Sequence, residues 1–504
     1  MIQPTFRNPL AAHYTRPGGP WRDQTLPRLL AESPDRPDLL CAGAARVGTD
    51  ALRSSVQSIA GGLRARGVRR GGAVTWTLPN GLDVVLLTWA TWWLGAVAVP
   101  FHPDTTPDER AAVLAHFDAA TEVRAEPRRG LASLRGDPVT DPAAAPEDVA
   151  LVVTTSGSSG TPKSVIHTQR TLAYKARQIR EVHRTGTDDA VLVPAPMAHV
   201  AGILHGVLHP VATGAKAVIM EKWDAERALV LVRDERVTML FGPPVYALGI
   251  VATPGFTRDA VASVRVISSG GTTITEEFAH RMHDEFGAVV KRAYGSTEAP
   301  TITTSFPGDP PALGWSTEGR VVGDAELQVR EPESGAVRAD GEVGELWLRG
   351  PELAEGYLDP GQTAAVFVDG WYRTWDLATI DDGWLRLRGR SADIIIRGGM
   401  NVSAAEVENA LARHPAVREA VVVGYPDDRL GERIGAFVVV DPGAADAPLD
   451  RPACVEWFAA AGVARSKVPD RVVVVDAIPL LPTFQKPDRA ELRRRLTDDD
   501  SDTP

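Results

Sequence analysis

From Ser54 onward the chain alternates short apolar runs with amphipathic stretches that stop at glycine, and this alternation restricts the possible fold more than any other feature. Val56, Ile59, Ala60 and Leu63 recur at helical spacing, and Gly67 follows Arg64 and Arg66, the composition of a helix C-terminus. The pattern predicts a helix over 54–67, a strand over 73–78, a helix over 82–94 and an apolar strand over 96–101. Strand-like runs return at 190–194, 216–220, 237–241 and 265–268. Strands separated by helices bury both faces of a sheet, so the large N-terminal part reads as doubly wound α/β.

Between Pro300 and Gly389 the pattern changes to short segments rich in Val, Leu, Trp and Arg between Gly, Pro and Asp, which predicts antiparallel β. After Gly389 a compact α+β unit is expected. Its strands are predicted at 394–396, 420–423, 436–440 and 472–475, and its helices after the capping box Ser403-Ala-Ala-Glu406 and over 452–461. The acidic tail from Asp498 is expected to be disordered. A chain of 504 residues exceeds the ~250–300 at which single cores stop growing, so a division into 1–390 and 391–504 is expected.

Acidic residues number 65 against 54 Lys plus Arg, and a net charge of −11 argues against nucleic acid or an anionic membrane as partner. A small molecule is the expected partner. The most apolar stretch, 84–99, is broken by Thr88, Thr91 and Gly95 and is short of the ~20 residues that span a bilayer. Only Cys41 and Cys454 are present and no secretory h-region opens the chain, so the cytoplasm is the expected compartment.

Only seven of the 54 cations are lysines, and the first is Lys163, which closes the segment Thr155-Ser-Gly-Ser-Ser-Gly-Thr-Pro-Lys163 after an apolar strand over 149–154. Gly157 and Gly160 allow backbone N–H groups to turn toward an anion, Thr155, Ser156, Ser158 and Ser159 add hydroxyl groups, and Lys163 adds a positive charge. A phosphate-cradling loop has this composition. A Gly/Ser linker shares the letters, but not the strand before it or the scarce lysine after it. The loop is not of Walker A type, because Pro162 stands five positions after Gly157 where that pattern requires glycine.

A second constellation is Tyr294-Gly295-Ser-Thr297-Glu298, preceded by Ser268-Ser-Gly270-Gly271-Thr272. A flat aromatic beside glycine can pack on a purine, and Thr297 and Glu298 can hold a phosphate oxygen and Mg²⁺. A third is Tyr372-Arg-Thr-Trp-Asp376 with Arg390 fourteen positions later; an aspartate can accept both ribose hydroxyls and an arginine can fix the sugar. His205 and His209 stand four apart, but no carboxylate or cysteine joins them at ligand spacing, so packing or pocket lining is expected rather than a metal.

In this order and over nearly the whole chain, from Gly61-Gly-Leu-Arg-Ala-Arg-Gly-Val to Pro479-Leu-Leu-Pro-Thr-Phe-Gln-Lys486, these motifs resemble the adenylate-forming superfamily of acyl-CoA synthetases, luciferases and peptide-synthetase adenylation domains. The resemblance implies an α/β fold: a large N-terminal domain of two doubly wound sheets plus a β-barrel, and a small mobile α+β C-terminal lid. It implies that Thr155 to Lys163 bind the triphosphate, with Gly270, Gly271, Thr272, Tyr294 and Gly295 around adenine. Thr297 takes a phosphate oxygen, Glu298 takes Mg²⁺, Asp376 the ribose, and Arg390 stands at the hinge. His199 gates the carboxylate pocket, and Lys486 swings in to stabilise the transition state.

The implied activity is an ATP- and Mg²⁺-dependent, AMP-forming ligation of a small aryl or acyl carboxylate, with CoA as the thiol acceptor. Three departures bear on the thiol step: Trp375 where the family has glycine, Ala392 where a charged hinge residue is usual, and Phe484-Gln485 where Ser-Gly is usual. The alternatives are an adenylating enzyme that loads a carrier protein, one that adenylates an oxyanion such as nitrite to diazotise an arylamine, and a non-catalytic nucleotide-binding protein. Retention of Glu298 and Lys486 disfavours the last.

Overall fold

The structure, a computed structural model, describes residues 2–21, 25–124, 130–155, 163–272, 274–390, 393–397, 400–427, 429–440, 449–480 and 487–501. They form two compact units. The first comprises Met1–Ile274, Ala279–Leu327 and Leu348–Arg373; the second comprises Thr275–Phe278, Gln328–Trp347 and Thr374–Pro504.

The first unit holds two sheets. In the larger, Lys216–Ile219, Ala190–Val193, Met239–Gly242, Val266–Gly270 and Val289–Tyr294 lie side by side and parallel. In the smaller, Ala120–Val123, Ala73–Trp76, Val97–Pro100 and Val149–Thr155 are parallel, and Lys163–Thr168 closes the edge antiparallel. Helices cover the faces, and strands such as Val97–Pro100 and Ala190–Val193 are buried throughout, which is why they read as continuous apolar runs.

The helix predicted over 54–67 runs from Thr49 to Ala65, and Gly67 adopts φ +91° just beyond it, as a helix stop requires. The apolar stretch at 84–99 is the helix Leu82–Trp93 followed by the strand Val97–Pro100. Trp89 and Trp92 are fully buried, and the Trp92 indole donates to Ala150 O at 2.8 Å. Among the described residues no helix is long and apolar enough to cross a membrane.

In the second unit Met400–Ser403, Ile394–Arg397, Gly431–Val440 and Val417–Asp427 form an antiparallel sheet that Arg471–Val474 extends in parallel. Helices Ala404–Ala412 and Arg451–Ala460 pack Val407, Leu411 and Phe458 against Val422 and Val438. Ser403 accepts the Glu406 amide, as a cap should, while the Glu406 carboxylate pairs with Lys467.

The expected disorder of the acidic tail from Asp498 to Pro504 is corrected over 498–501, while 502–504 lie outside the described residues. The helix Arg489–Ser501 continues through its first acidic residues, because Leu492 and Leu496 are buried against Tyr425, Phe437 and Ile478 and anchor the turns before them.

Candidate active site

Parallel strands deliver their C-terminal ends to one edge of a sheet, where turning loops expose backbone N–H groups, and open α/β sheets bind ligands there. Thr155 ends one such strand and pairs with Lys163 across the hairpin. Ser156, Gly157, Ser158, Ser159 and Gly160, which lie between them, fall outside the described residues. The Lys163 ammonium stands 5.4 Å above the Tyr357 ring.

Strands Val266–Gly270 and Val289–Tyr294 are neighbours, so Ser268 to Thr272 and Tyr294 to Glu298 emerge side by side although their sequence positions are far apart. Gly270 pairs with Ala293, and a Cβ there would overlap Ala293 O. At Gly295 a Cβ would overlap the Thr301 amide. These glycines are thus required by close backbone approach, while Gly271 and Thr272 are exposed. Tyr294 is buried.

Thr297 O meets His167 Nε2 at 2.8 Å, and burial holds that imidazole below its ordinary pKa and hence neutral. Glu298 is only 7% exposed, and its Oε1 accepts the Tyr357 hydroxyl at 2.6 Å. Oε2 accepts no hydrogen bond from a described residue. No group of three or more metal-ligating side chains exists among the described residues. A lone carboxylate with one uncommitted oxygen fits Mg²⁺, which uses one or two carboxylates and completes its shell with substrate phosphates and water.

The first and second sheets of this unit meet at a second point. Asn80, in the loop after strand Ala73–Trp76, donates to Ala195 O at 2.8 Å and accepts from the Met197 amide at 2.7 Å. His102, after strand Val97–Pro100, stacks on His199 with centroids 5.7 Å apart and planes 21° apart. His199 opens the turn Val200–Gly202, which passes into a π-helical segment, Ile203–Leu208. Gly202 and Gly206 let this helix close on the 196–197 backbone and on the Met197 side chain, respectively.

His205 and His209 lie within the packed interior of the first unit. With His183 they surround Phe241, at centroid distances of 4.2, 5.5 and 4.8 Å respectively, as the packing reading expected. His280 and His283 are exposed on helix Glu276–Phe286.

In the second unit Asp376 pairs with Arg390 across a hairpin, with Arg390 Nε to Asp376 Oδ1 at 2.8 Å. The Asp376 amide donates to Thr374 Oγ1 at 3.0 Å. Trp375, between them, adopts φ +63° and is 40% exposed, a left-handed backbone in which glycine would be unstrained. Lys486, Ala392 and Phe484-Gln485 lie outside the described residues.

The sequence profile of the AMP-binding enzyme family matches residues 28–358, and that of the AMP-binding enzyme C-terminal domain matches residues 406–484. The chain belongs to the AMP-binding enzyme family. Pyochelin synthase PchD of Pseudomonas aeruginosa UCBPP-PA14 is 32% identical over 95% of this chain and 93% of its own length. Feruloyl-CoA synthase of Amycolatopsis sp. is also 32% identical, over 88% of this chain and 93% of its own. Among solved structures, the amide bond synthetase McbA of Marinactinospora thermotolerans is similar with a TM-score of 0.82 and 28% identity, covering 93% of this chain and 99% of that one. The chain is accordingly an adenylate-forming ligase that uses ATP, with the two-domain mixed α/β fold of its superfamily.

Of the residues that the motifs single out, the structure brings Thr155 and Lys163 together across a hairpin, places Tyr294, Thr297 and Glu298 at the end of one strand, and pairs Asp376 with Arg390. The motifs missed Tyr357, His167, His102 and Asn80. Each meets a residue more than 50 positions away, and no local spacing carries that information.

Proposed function

We propose that the chain adenylates a small aryl or acyl carboxylate: a carboxylate oxygen attacks the α-phosphorus of ATP, the bond to the bridging oxygen breaks, and pyrophosphate leaves. The observation that carries this reading is the joining of the phosphate hairpin to Glu298 through Tyr357 within one unit. Thr155 to Lys163 hold the triphosphate, Tyr294 and Gly270 to Thr272 flank the base, and Thr297 takes a phosphate oxygen. Mg²⁺ on Glu298 supplies charge neutralisation at the phosphates when bound. Asp376 and Arg390 hold the ribose, and Lys486 adds positive charge as the transition state forms. The functional boundary falls at 390/391, next to Arg390.

His199 and the apolar strand Met239–Gly242 are assigned to the acyl pocket, and the nearby Trp223–Tyr246 pair, 4.7 Å between centroids, gives it an aromatic wall suited to an aryl acid. The similarity to feruloyl-CoA synthase supports an aryl substrate. The test is a panel of aryl and aliphatic acids, with nitrite included, assayed for ATP-dependent pyrophosphate and AMP release. Release with an aryl acid is expected. ADP as the nucleotide product, or turnover with nitrite alone, would overturn this assignment.

The acceptor proposed for the acyl adenylate is an amine in preference to CoA or a carrier protein. Trp375 favours it: a large indole in a left-handed backbone replaces the small residue expected beside Asp376. The similarity to McbA points the same way.

A further inference from the structure

Tyr357 has no role in the assignments that the motifs supply, yet it occupies a constrained position. Its backbone is clamped on both sides: Thr363 Oγ1 accepts its amide at 2.9 Å, and Thr5 Oγ1 donates to its carbonyl at 2.6 Å. Residues 355–358 lie along the strand Lys163–Thr168, with Ile166 N to Gly356 O, Glu355 N to Ile166 O and Leu358 N to Ser164 O each at 2.9 Å. On the other side the Ala354 amide donates to Glu298 O at 2.7 Å. Gly356 turns the chain at φ +98°, and a Cβ there would overlap Thr5 Oγ1. The segment is therefore a short rigid bridge between the strand that leaves the phosphate loop and Glu298.

The side chain completes that bridge. The Tyr357 ring is fully buried and packs edge-on against Phe367 at 5.8 Å, and its hydroxyl meets both Glu298 Oε1 and Tyr372. At 2.6 Å the phenol O–H donates to Glu298 Oε1, a short charge-assisted hydrogen bond that the rigid segment holds in place. A glutamate carboxylate at the end of three rotatable bonds presents its second oxygen in a fixed direction only if its first is held, and partners of this kind orient ligands in metal sites.

We propose that Tyr357 is the positioning residue for the Glu298 carboxylate, fixing Oε1 so that Oε2 faces the divalent cation of metal–ATP, in register with Lys163 above the same ring. This rests on the reading of Glu298 as the Mg²⁺ ligand. No bond to Tyr357 forms or breaks in the reaction. Its effect is on how well the cation is held and not on the affinity of the metal-free nucleotide.

The test uses the full chain and three proteins: wild type, Tyr357→Phe and Glu298→Gln. Binding of a fluorescent ATP analogue is titrated with Mg²⁺ and, separately, measured in EDTA, and bound Mn²⁺ is counted by electron paramagnetic resonance. Tyr357→Phe should raise the half-saturating Mg²⁺ about 10-fold, the lower end for loss of an orienting partner, with binding in EDTA unchanged. Glu298→Gln should abolish the Mg²⁺ dependence. If Glu298→Gln responds to Mg²⁺ as wild type does, the metal-ligand reading fails. If Glu298→Gln loses the response and Tyr357→Phe keeps it, the positioning role of Tyr357 is overturned alone.

Equal losses of metal-free and metal-dependent binding in Tyr357→Phe would show a merely structural residue and overturn the proposal. Should that variant not fold, site-specific 3-fluorotyrosine at 357 retains the ring while changing the acidity of the hydroxyl. A shift of at least 2-fold in half-saturating Mg²⁺ is expected there, and no shift would sink the proposal.

Discussion

Single residues in this protein carry two separable kinds of consequence. On the proposed function Lys486 acts in catalysis: its contact forms mainly in the transition state, so Lys486→Ala should leave ATP binding nearly intact and slow adenylation by ~10²–10⁴-fold. Equilibrium nucleotide binding together with single-turnover pyrophosphate release checks this, and equal loss of affinity with unchanged turnover would contradict it. His183, His205 and His209 belong to stability. No described residue hydrogen-bonds His183 Nδ1, His205 Nδ1 or either nitrogen of His209, and burial lowers all three pKa values, that of His205 to about 3. Lys291 and Arg265 add positive charge beside the cluster, against Asp189.

Folded values below the unfolded one mean that the unfolded chain binds more protons. The contribution of the three histidines is therefore complete above about pH 6.5 and is lost as the pH falls below it. Each group in its titrating range removes about 1.4 kcal/mol per pH unit. Three together remove about 4 kcal/mol per unit, a large part of a net stability of about 5–15 kcal/mol. Urea midpoints measured from pH 7 to pH 5 should drop steeply, and His209→Leu should flatten the slope by roughly a third. A flat profile would show that the cluster is not neutral in the folded protein.

At the scale of elements, close approach governs. Helix Thr49–Ala65 lies so near residues 134–137 that a Cβ at Gly62 would overlap Leu134 O and one at Gly61 would overlap Asp137 O. Backbone carbonyls cannot rotate away as a side chain can, so Gly62→Ala should cost about 3 kcal/mol or more. Gly186→Ala, where a Cβ meets nothing within 4 Å, should stay within about 0.5 kcal/mol of wild type. Paired denaturation curves decide the matter, and equal midpoints would show that the helix can slide. Gly202, just before the π-helical segment Ile203–Leu208, likewise lies against the 196–197 backbone, and Gly206 within it lies against the side chains of Met197 and Val193.

For the whole molecule the open question is which nucleophile consumes the adenylate. The family resemblance puts a charged hinge residue where Ala392 stands and a glycine-containing pair where Phe484-Gln485 stands, and on the proposed function both changes remove features that support a large backbone rotation between half-reactions. Preformed acyl adenylate mixed with CoA in single turnover should form thioester at least 10-fold more slowly than adenylation proceeds, whereas an arylamine or alkylamine should yield amide. Thioester formation at the adenylation rate would restore a CoA ligase.

The sequence by itself determined the strand and helix alternation, because buried parallel strands must be apolar throughout and helices must stop where glycine permits it. It also marked, as candidates, the segment from Thr155 to Lys163, Tyr294 to Glu298 and Asp376 with Arg390, because chemistry on phosphate and ribose needs particular residue types at short spacing. Boundaries such as Thr49 rather than Ser54, and helix through Ser501, depended on what each end packs against. Tyr357 on Glu298, His167 on Thr297 and His102 on His199 were decided only in the tertiary structure. Each is a single contact between distant segments, fixed by sheet order and strand register, and neither leaves a periodic trace along the chain.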